Sequence, residues 1–139
     1  MFNMTTAIYE AMTKDNKLKV FTEEHENTSE VWLQFGIKNG GGYKIRFISH
    51  DDDNDVSVRI FGLITVEEDQ MAKLLPAINE LNRKYRFVKF VLDDDGDVNL
   101  EYDYLTLCPD PAASAMELVI RIVRMIDDAY PLLMRALWS

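Results

Sequence analysis

The sequence has one cysteine, Cys108, and two histidines, His25 and His50. A lone cysteine excludes an internal disulfide, and nothing points to an oxidising compartment. The expectation is a buried, inert thiol that packs as a small hydrophobe. Neither histidine belongs to an H-E-x-x-H or similar ligand spacing, so both are expected in surface turns and no metal site is expected. G-x-S-x-G, P-loop and G-x-G-x-x-G motifs are absent, and "NGGG" at 39 to 42 lacks the Lys and Ser/Thr of a phosphate loop. Serine nucleophiles and nucleotide cradles therefore have no motif, and no cofactor is expected. No apolar stretch reaches the roughly 18 residues of a membrane span, and "MFNMTTAIYEAMTKDNK" has neither the basic start nor the apolar run of a signal peptide. A cytoplasmic location is expected.

Basic residues are also scarce. Fifteen Lys and Arg face 24 Asp and Glu, a formal charge of −9, which disfavours nucleic acid and anionic membrane surfaces. The densest basic group, Arg83, Lys84, Arg86 and Lys89, lies at a predicted helix end, where cations complement the helix dipole.

What is present reads as one α+β domain spanning residues 1–139. Hydrophobic residues make up 47% and charged residues 28%, ordinary globular proportions with enough chain for one core. Met4, Ile8, Ala11 and Met12 mark a short helix over 4–14. Strands are expected at 17–22, 30–37, 42–49 and 55–64; in the third, Tyr43, Ile45, Phe47 and Ser49 alternate with Lys44, Arg46 and Ile48. "KNGGG" joins the second and third, its glycines expected to supply positive φ. Thr65 and Glu68 fit a capping box that opens a helix. Its buried stripe is Met71, Leu74, Leu75, Ile78 and Leu81, and Pro76 is expected to kink it. Strands follow at 86–92 and 97–105, the second alternating Val98, Leu100, Tyr102 and Tyr104 with polar residues, an antiparallel signature. A last helix opens with Asp110 as N-cap and Pro111 in its first turn. Leu118, Val119, Ile122, Ile126, Leu133 and Leu137 trace its stripe, and Pro131 is expected to interrupt its final third. The order is α-β-β-β-β-α-β-β-α.

"LDDDGDV" at 92 to 98 and "HDDDND" at 50 to 55 resemble hard-cation loops. An EF-hand register with Gly96 at position 6 puts Val91 at position 1 and Tyr102 at position 12, which fail as side-chain ligands. In the other run Asp51, Asp53 and Asp55 are followed by Val56 where glycine is needed. The first is read as a two-residue Asp-Gly hairpin turn, and no calcium site is expected. Asn79 and Asn82 are read as satisfying backbone groups where helix meets strand, with a ligand contact as the other reading. Met116, Met125 and Met134 are read mainly as core, with an adaptable binding surface as the minority reading. The run "YPLLMRALW" stays apolar to the penultimate residue. Tyr130, Leu133, Met134, Leu137 and Trp138 are therefore candidates for a partner or homodimer surface, with packing on the chain's own sheet weighted equally.

"INELNRKYRFVKFVLDDDGDVNLEYDYL" followed by "YPLLMRALW" resembles the YbjN family of small bacterial proteins. The resemblance rests on Asn79, Asn82, Arg83, Phe87, Phe90, Leu92, Asp95, Gly96, Leu100 and Glu101, and is clearest over 65–137. It implies a curved antiparallel sheet flanked by helices, similar to class I type III secretion chaperones and commonly dimeric. Family members carry the label of sensory transduction regulators, which defines no chemistry, and no catalytic signature carries over. Two classes of function follow. The first is a non-enzymatic protein-binding module, chaperone-like or regulatory, acting on a protein partner through a sheet edge or helix face. The second is a small enzyme or metal-binding protein that uses the acidic turns.

Overall fold

A computed structural model describes residues 1–14, 18–37, 40–50, 55–107 and 109–139. Cys108 and Asp51, Asp52, Asp53 and Asn54 lie outside the described residues. Three α-helices, α1 (Asn3–Thr13), α2 (Met71–Lys84) and α3 (Pro111–Trp138), accompany six strands, β1 (Phe21–Glu24), β2 (Ser29–Gly36), β3 (Gly42–Ser49), β4 (Asp55–Thr65), β5 (Lys89–Leu92) and β6 (Asp97–Leu105). The element order is the expected one. The strands form one antiparallel sheet in the order β1-β2-β3-β4-β6-β5.

Alternation decides the two faces of this sheet. Val31, Leu33, Ile45, Phe47, Val58, Ile60, Phe90 and Leu100 are fully or almost fully buried on one face. Ile8 and Met12 of α1, Leu74 and Leu81 of α2, and Ile122, Ile126 and Leu133 of α3 join them in one apolar cluster. Burying each such side chain contributes about 1.5–3 kcal/mol. The opposite face is a ladder of paired charges. Arg46 binds Glu30, Arg59 Nη1 lies 2.7 Å from Asp103, Lys89 lies 3.9 Å from Glu101, and Lys44 sits 4.4 Å from the Trp32 ring centre. That ring stacks on Phe21 at 4.3 Å.

Several local expectations are corrected. The strand expected at 17–22 is β1, Phe21–Glu24, a four-residue edge strand exposed throughout. Thr65 does not cap a helix: it still pairs with Asp97 in the β4–β6 ladder, and its hydroxyl donates to Asp97 Oδ1 at 2.5 Å. A 3-10 turn over Glu68–Gln70 precedes α2 instead. Leu75 is exposed, because the helical period turns it away from Leu74, Ile78 and Leu81. The strand expected from 86 starts at Lys89, after a turn at Arg86 and Phe87. Pro131 does not interrupt α3, which runs to Trp138; at Pro76, by contrast, α2 continues to Lys84, as its in-phase stripe predicts. Both prolines are exposed, so water can satisfy the carbonyls they leave unpaired while the buried stripes hold the helices together.

Gly62 takes a positive φ of 63° inside β4, where the β4–β6 register shifts between Ile60 and Ile64. This is a bulge that the strand pattern did not announce. Gly40, Gly41 and Gly42 have no positive φ. Gly40 instead makes room for Tyr130, whose ring would lie 3.0 Å from an added Cβ. Four residues, Asp93–Gly96, connect β5 to β6, and the Asp93–Asp97 bond leaves three of them, not two, in the turn. Asp93 N–H donates to the Asp97 carbonyl at 2.9 Å and Gly96 N–H to the Asp93 carbonyl at 3.2 Å, with Gly96 at φ 84°.

Asn82 closes the outer edge of β5. Its Nδ2 donates to the Phe90 carbonyl at 2.9 Å and its Oδ1 accepts from Phe90 N–H at 2.6 Å. One side chain thus satisfies both main-chain groups of a residue that is 2% exposed.

Two stability outcomes are expected. Gly96→Val should lose about 1–3 kcal/mol, since it meets both the positive φ and the Val66 carbonyl oxygen, 2.2 Å from an added Cβ. Asp94→Asn, at an exposed position of the same loop, should unfold at the wild-type denaturant concentration. Asn82→Ala should lose about 1–3 kcal/mol in denaturant titrations, because both Phe90 groups are stranded; wild-type stability would refute the edge-closing role.

Candidate functional site

The acidic hairpin has a structural task. Asp93 Oδ1 accepts from the N–H groups of Asp95 (2.9 Å) and Asp97 (3.0 Å), and its Oδ2 accepts from Asn99 Nδ2 at 3.0 Å. Asn99, buried, accepts the Gly62 N–H at 2.8 Å through Oδ1. The carboxylate therefore ties the hairpin to the β4 bulge. These bonds, the one from Asp97 foremost and Asn99 next, hold the Asp93 pKa below its usual 3.8.

His25 Nε2 stands 3.5 Å from Glu23 and 3.9 Å from Glu30, the one group of three metal-ligating side chains among the described residues. Arg46 already lies on this pair, bound to Glu30 and 3.6 Å from Glu23. A guanidinium stands where a cation would sit, so the cluster is a charge-paired surface. His50 Nε2 lies 3.0 Å from Ser57 Oγ. Asn79 is exposed.

The resolved pKa shifts run away from neutrality. Tyr43 is pushed up to about 12 by burial and then by Asp127. Lys84 is raised by its bond to Asp128, and Tyr85 by burial and then by the same carboxylate. Asp128 is lowered by those two partners in turn. Burial of Asp103, the largest single influence, works to raise its pKa, but the bond and charge of Arg59 together with Ser57 and His50 hold it below the usual value. General acid–base catalysis requires the opposite tuning, toward the working pH.

The C-terminal candidates divide. Leu133 and Leu137 are buried in the chain's own core because they continue the Ile122–Ile126 stripe. Tyr130 lies on Gly40, Met134 is half-buried, and Trp138 is 80% exposed. The exposed part of the candidate surface is therefore centred on Trp138.

Sequence reasoning missed two surfaces beside the first half of α3. On one side, Phe87, Tyr102 and Tyr104 form an aromatic row: Phe87 meets Tyr102 edge-on at 5.8 Å, and Tyr102 stacks on Tyr104 at 6.0 Å. With Glu117, Leu118 and Arg121 they line an open groove of about 290 Å³. Tyr102 and Tyr104 share a face by alternation, which was legible. Phe87 joins them only because the chain turns before β5. On the other side, Leu18, Phe35, Met116, Val119, Ile120 and Val123 line an apolar groove of about 440 Å³ that ends at Arg124. Its helical residues recur at three- and four-residue spacing, which reads as core in a sequence.

Residues 19–132 match the model of the family described as "YbjN: Putative bacterial sensory transduction regulator". The chain belongs to the YbjN family. The YbjN match takes in all six strands, α2 and α3 as far as Leu132. It contains the whole aromatic row, whereas Leu133, Met134, Leu137 and Trp138 lie beyond it. No curated protein sequence matches the chain. Among the described residues, no helix is long and apolar enough to cross a membrane.

The Asp93 tie makes stability depend on pH. A depressed carboxylate pKa stabilises the fold fully above the ordinary aspartate range, about 4, and the contribution fades as pH falls through the lower folded-state value. Asp93→Asn should therefore melt below wild type at pH 7, and the gap should narrow steadily below pH about 4. A gap that stays constant down to that acidity would contradict the tie.

Proposed function

We propose that this YbjN-family chain is a non-enzymatic protein-binding module, regulatory or chaperone-like, that takes a segment of a partner protein in the Phe87–Tyr102–Tyr104 groove. One observation carries this reading: three aromatic rings in a row, Phe87 exposed, Tyr102 half-buried and Tyr104 buried at the floor, line an open groove. Aromatic rings offer large rigid contact area at low entropy cost and are enriched at binding hot spots. Arg86 beside Phe87 is exposed and offers donors to a partner's main-chain and acidic groups, while Arg121 lines the groove paired with Glu117 at 3.0 Å. The likeness to class I type III secretion chaperones, the cytoplasmic setting, the homodimer and the second contact surface around Trp138 belong to the same proposal.

The acidic turn at 93–97 does not favour the metal or enzyme alternative, since its central carboxylate already accepts three protein hydrogen bonds.

Affinity capture from the host followed by mass spectrometry tests the reading with three baits. Wild type should retain a specific protein that Phe87→Asp loses, while circular dichroism reports the same fold. Trp138→Glu should retain it. Capture by Phe87→Asp but not by Trp138→Glu would move the partner site to the C-terminus.

A further inference from the structure

The apolar groove on the far side of α3 has the geometry of a surface that recognises itself. Its rim carries an apolar ridge, Met116, Ile120 and Val123, at one-turn spacing along α3. Ile120 is 47% exposed. Directly beside the ridge is the 440 Å³ hollow, with Leu18 and Phe35 forming its other wall. A two-fold interface requires the same patch to supply both knob and hole, because each copy presents one surface to the other.

The charges flanking the ridge obey the same symmetry. Glu117 and Arg124 lie three residues before and four residues after Ile120, and at 100° per residue both fall on the same, solvent-facing side of the ridge. Both are exposed. In an antiparallel pair of helices related by a two-fold axis beside Ile120, flank meets flank at mirrored heights. Glu117 of each copy then stands opposite Arg124 of the other. Asp127 falls opposite the first turn of the other copy's α3, where the helix dipole favours an anion.

We propose that α3 is the dimerisation element: two copies pack α3 antiparallel about Ile120, the ridge of each filling the groove of the other, with two symmetric Glu117–Arg124 ion pairs. This rests on the reading of the chain as a homodimeric protein-binding module and gives that homodimer an interface. The arrangement leaves Phe87, Tyr102 and Tyr104 on the opposite flank of α3 open to a partner, with Glu117 standing on the rim between the two surfaces. A displaced or missing ion pair changes partner choice more than it changes folding, since charge complementarity sets specificity and register at interfaces.

Light scattering and sedimentation of the full chain provide the test. Wild type should be a dimer, and Ile120→Asp should be a monomer with an unchanged circular dichroism spectrum. Glu117→Arg and Arg124→Glu, at exposed positions that do not hold the fold together, should each weaken dimerisation about tenfold or more. The double variant, which exchanges the two charges, should restore it. A wild-type monomer at tens of micromolar overturns both the interface and the homodimer. A dimer that survives Ile120→Asp, or single charge variants that the double variant does not rescue, overturns this interface alone. Neither outcome decides the aromatic groove, whose rim Glu117 shares: partner capture by wild type and Phe87→Asp, which leaves Glu117 in place, reports on it separately.

Discussion

The sheet has one apolar face, and everything else in the fold follows from covering it. Five of the six strands present Val31, Leu33, Ile45, Phe47, Val58, Ile60, Phe90 and Leu100 on that side. Three helices supply the cover. The longest, α3, has 28 residues and a length of about 42 Å. Its inward stripe from Ala115 through Leu118, Ile122, Ile126, Ala129 and Leu133 to Leu137 is buried almost without a break. A single helix is narrower than the sheet it crosses, however. A hollow opens on each side of its first half, one lined by Phe87, Tyr102 and Tyr104 and one mainly by aliphatic side chains.

The other face needs no cover because its charges are paired within the sheet. Cross-strand neighbours of opposite sign, such as Arg59 and Glu101 or Lys89 and Glu101, recur along the ladder, which stabilises adjacent strands. The edges are managed as well. β1 is short and carries Glu23 and Glu24, and the outer side of β5 is bonded at Phe90 by Asn82. Short, charged or occupied edges resist uncontrolled strand pairing. The aromatic and the aliphatic groove accordingly lie on the flanks of α3, away from these edges.

The acidic turns illustrate how a charged run can be structural. Asp93 closes its own loop and reaches Asn99, which reaches the bulge at Gly62, while Asp97 binds Thr65. These contacts join one end of β4 to the β5–β6 hairpin. The carboxylates look like cation ligands in one dimension because both uses require oxygen atoms in close succession. Only the direction of the backbone N–H groups separates them.

By itself the sequence determined the order of elements, the strands at 42–49 and 97–105, and the cap at Asp110, whose side chain accepts from Ala113 N–H at 3.0 Å. These follow from periodicity and from side-chain chemistry acting within a few residues, so they are local. The role foreseen for Asn82 was legible for the same reason, eight residues from its partner. The bulge at Gly62, the displacement of the helix start from Thr65 to Met71 and the room that Gly40 makes for Tyr130 were decided by tertiary contacts between distant segments. The same holds for the candidate site. Phe87, Tyr102 and Tyr104, or Phe35 and Ile120, carry no signature as individuals, and an apolar residue at helical or strand spacing is indistinguishable from core. Whether it is buried or left on a rim depends on the width of the sheet and on where the covering helices end, and that is a property of the packed structure alone.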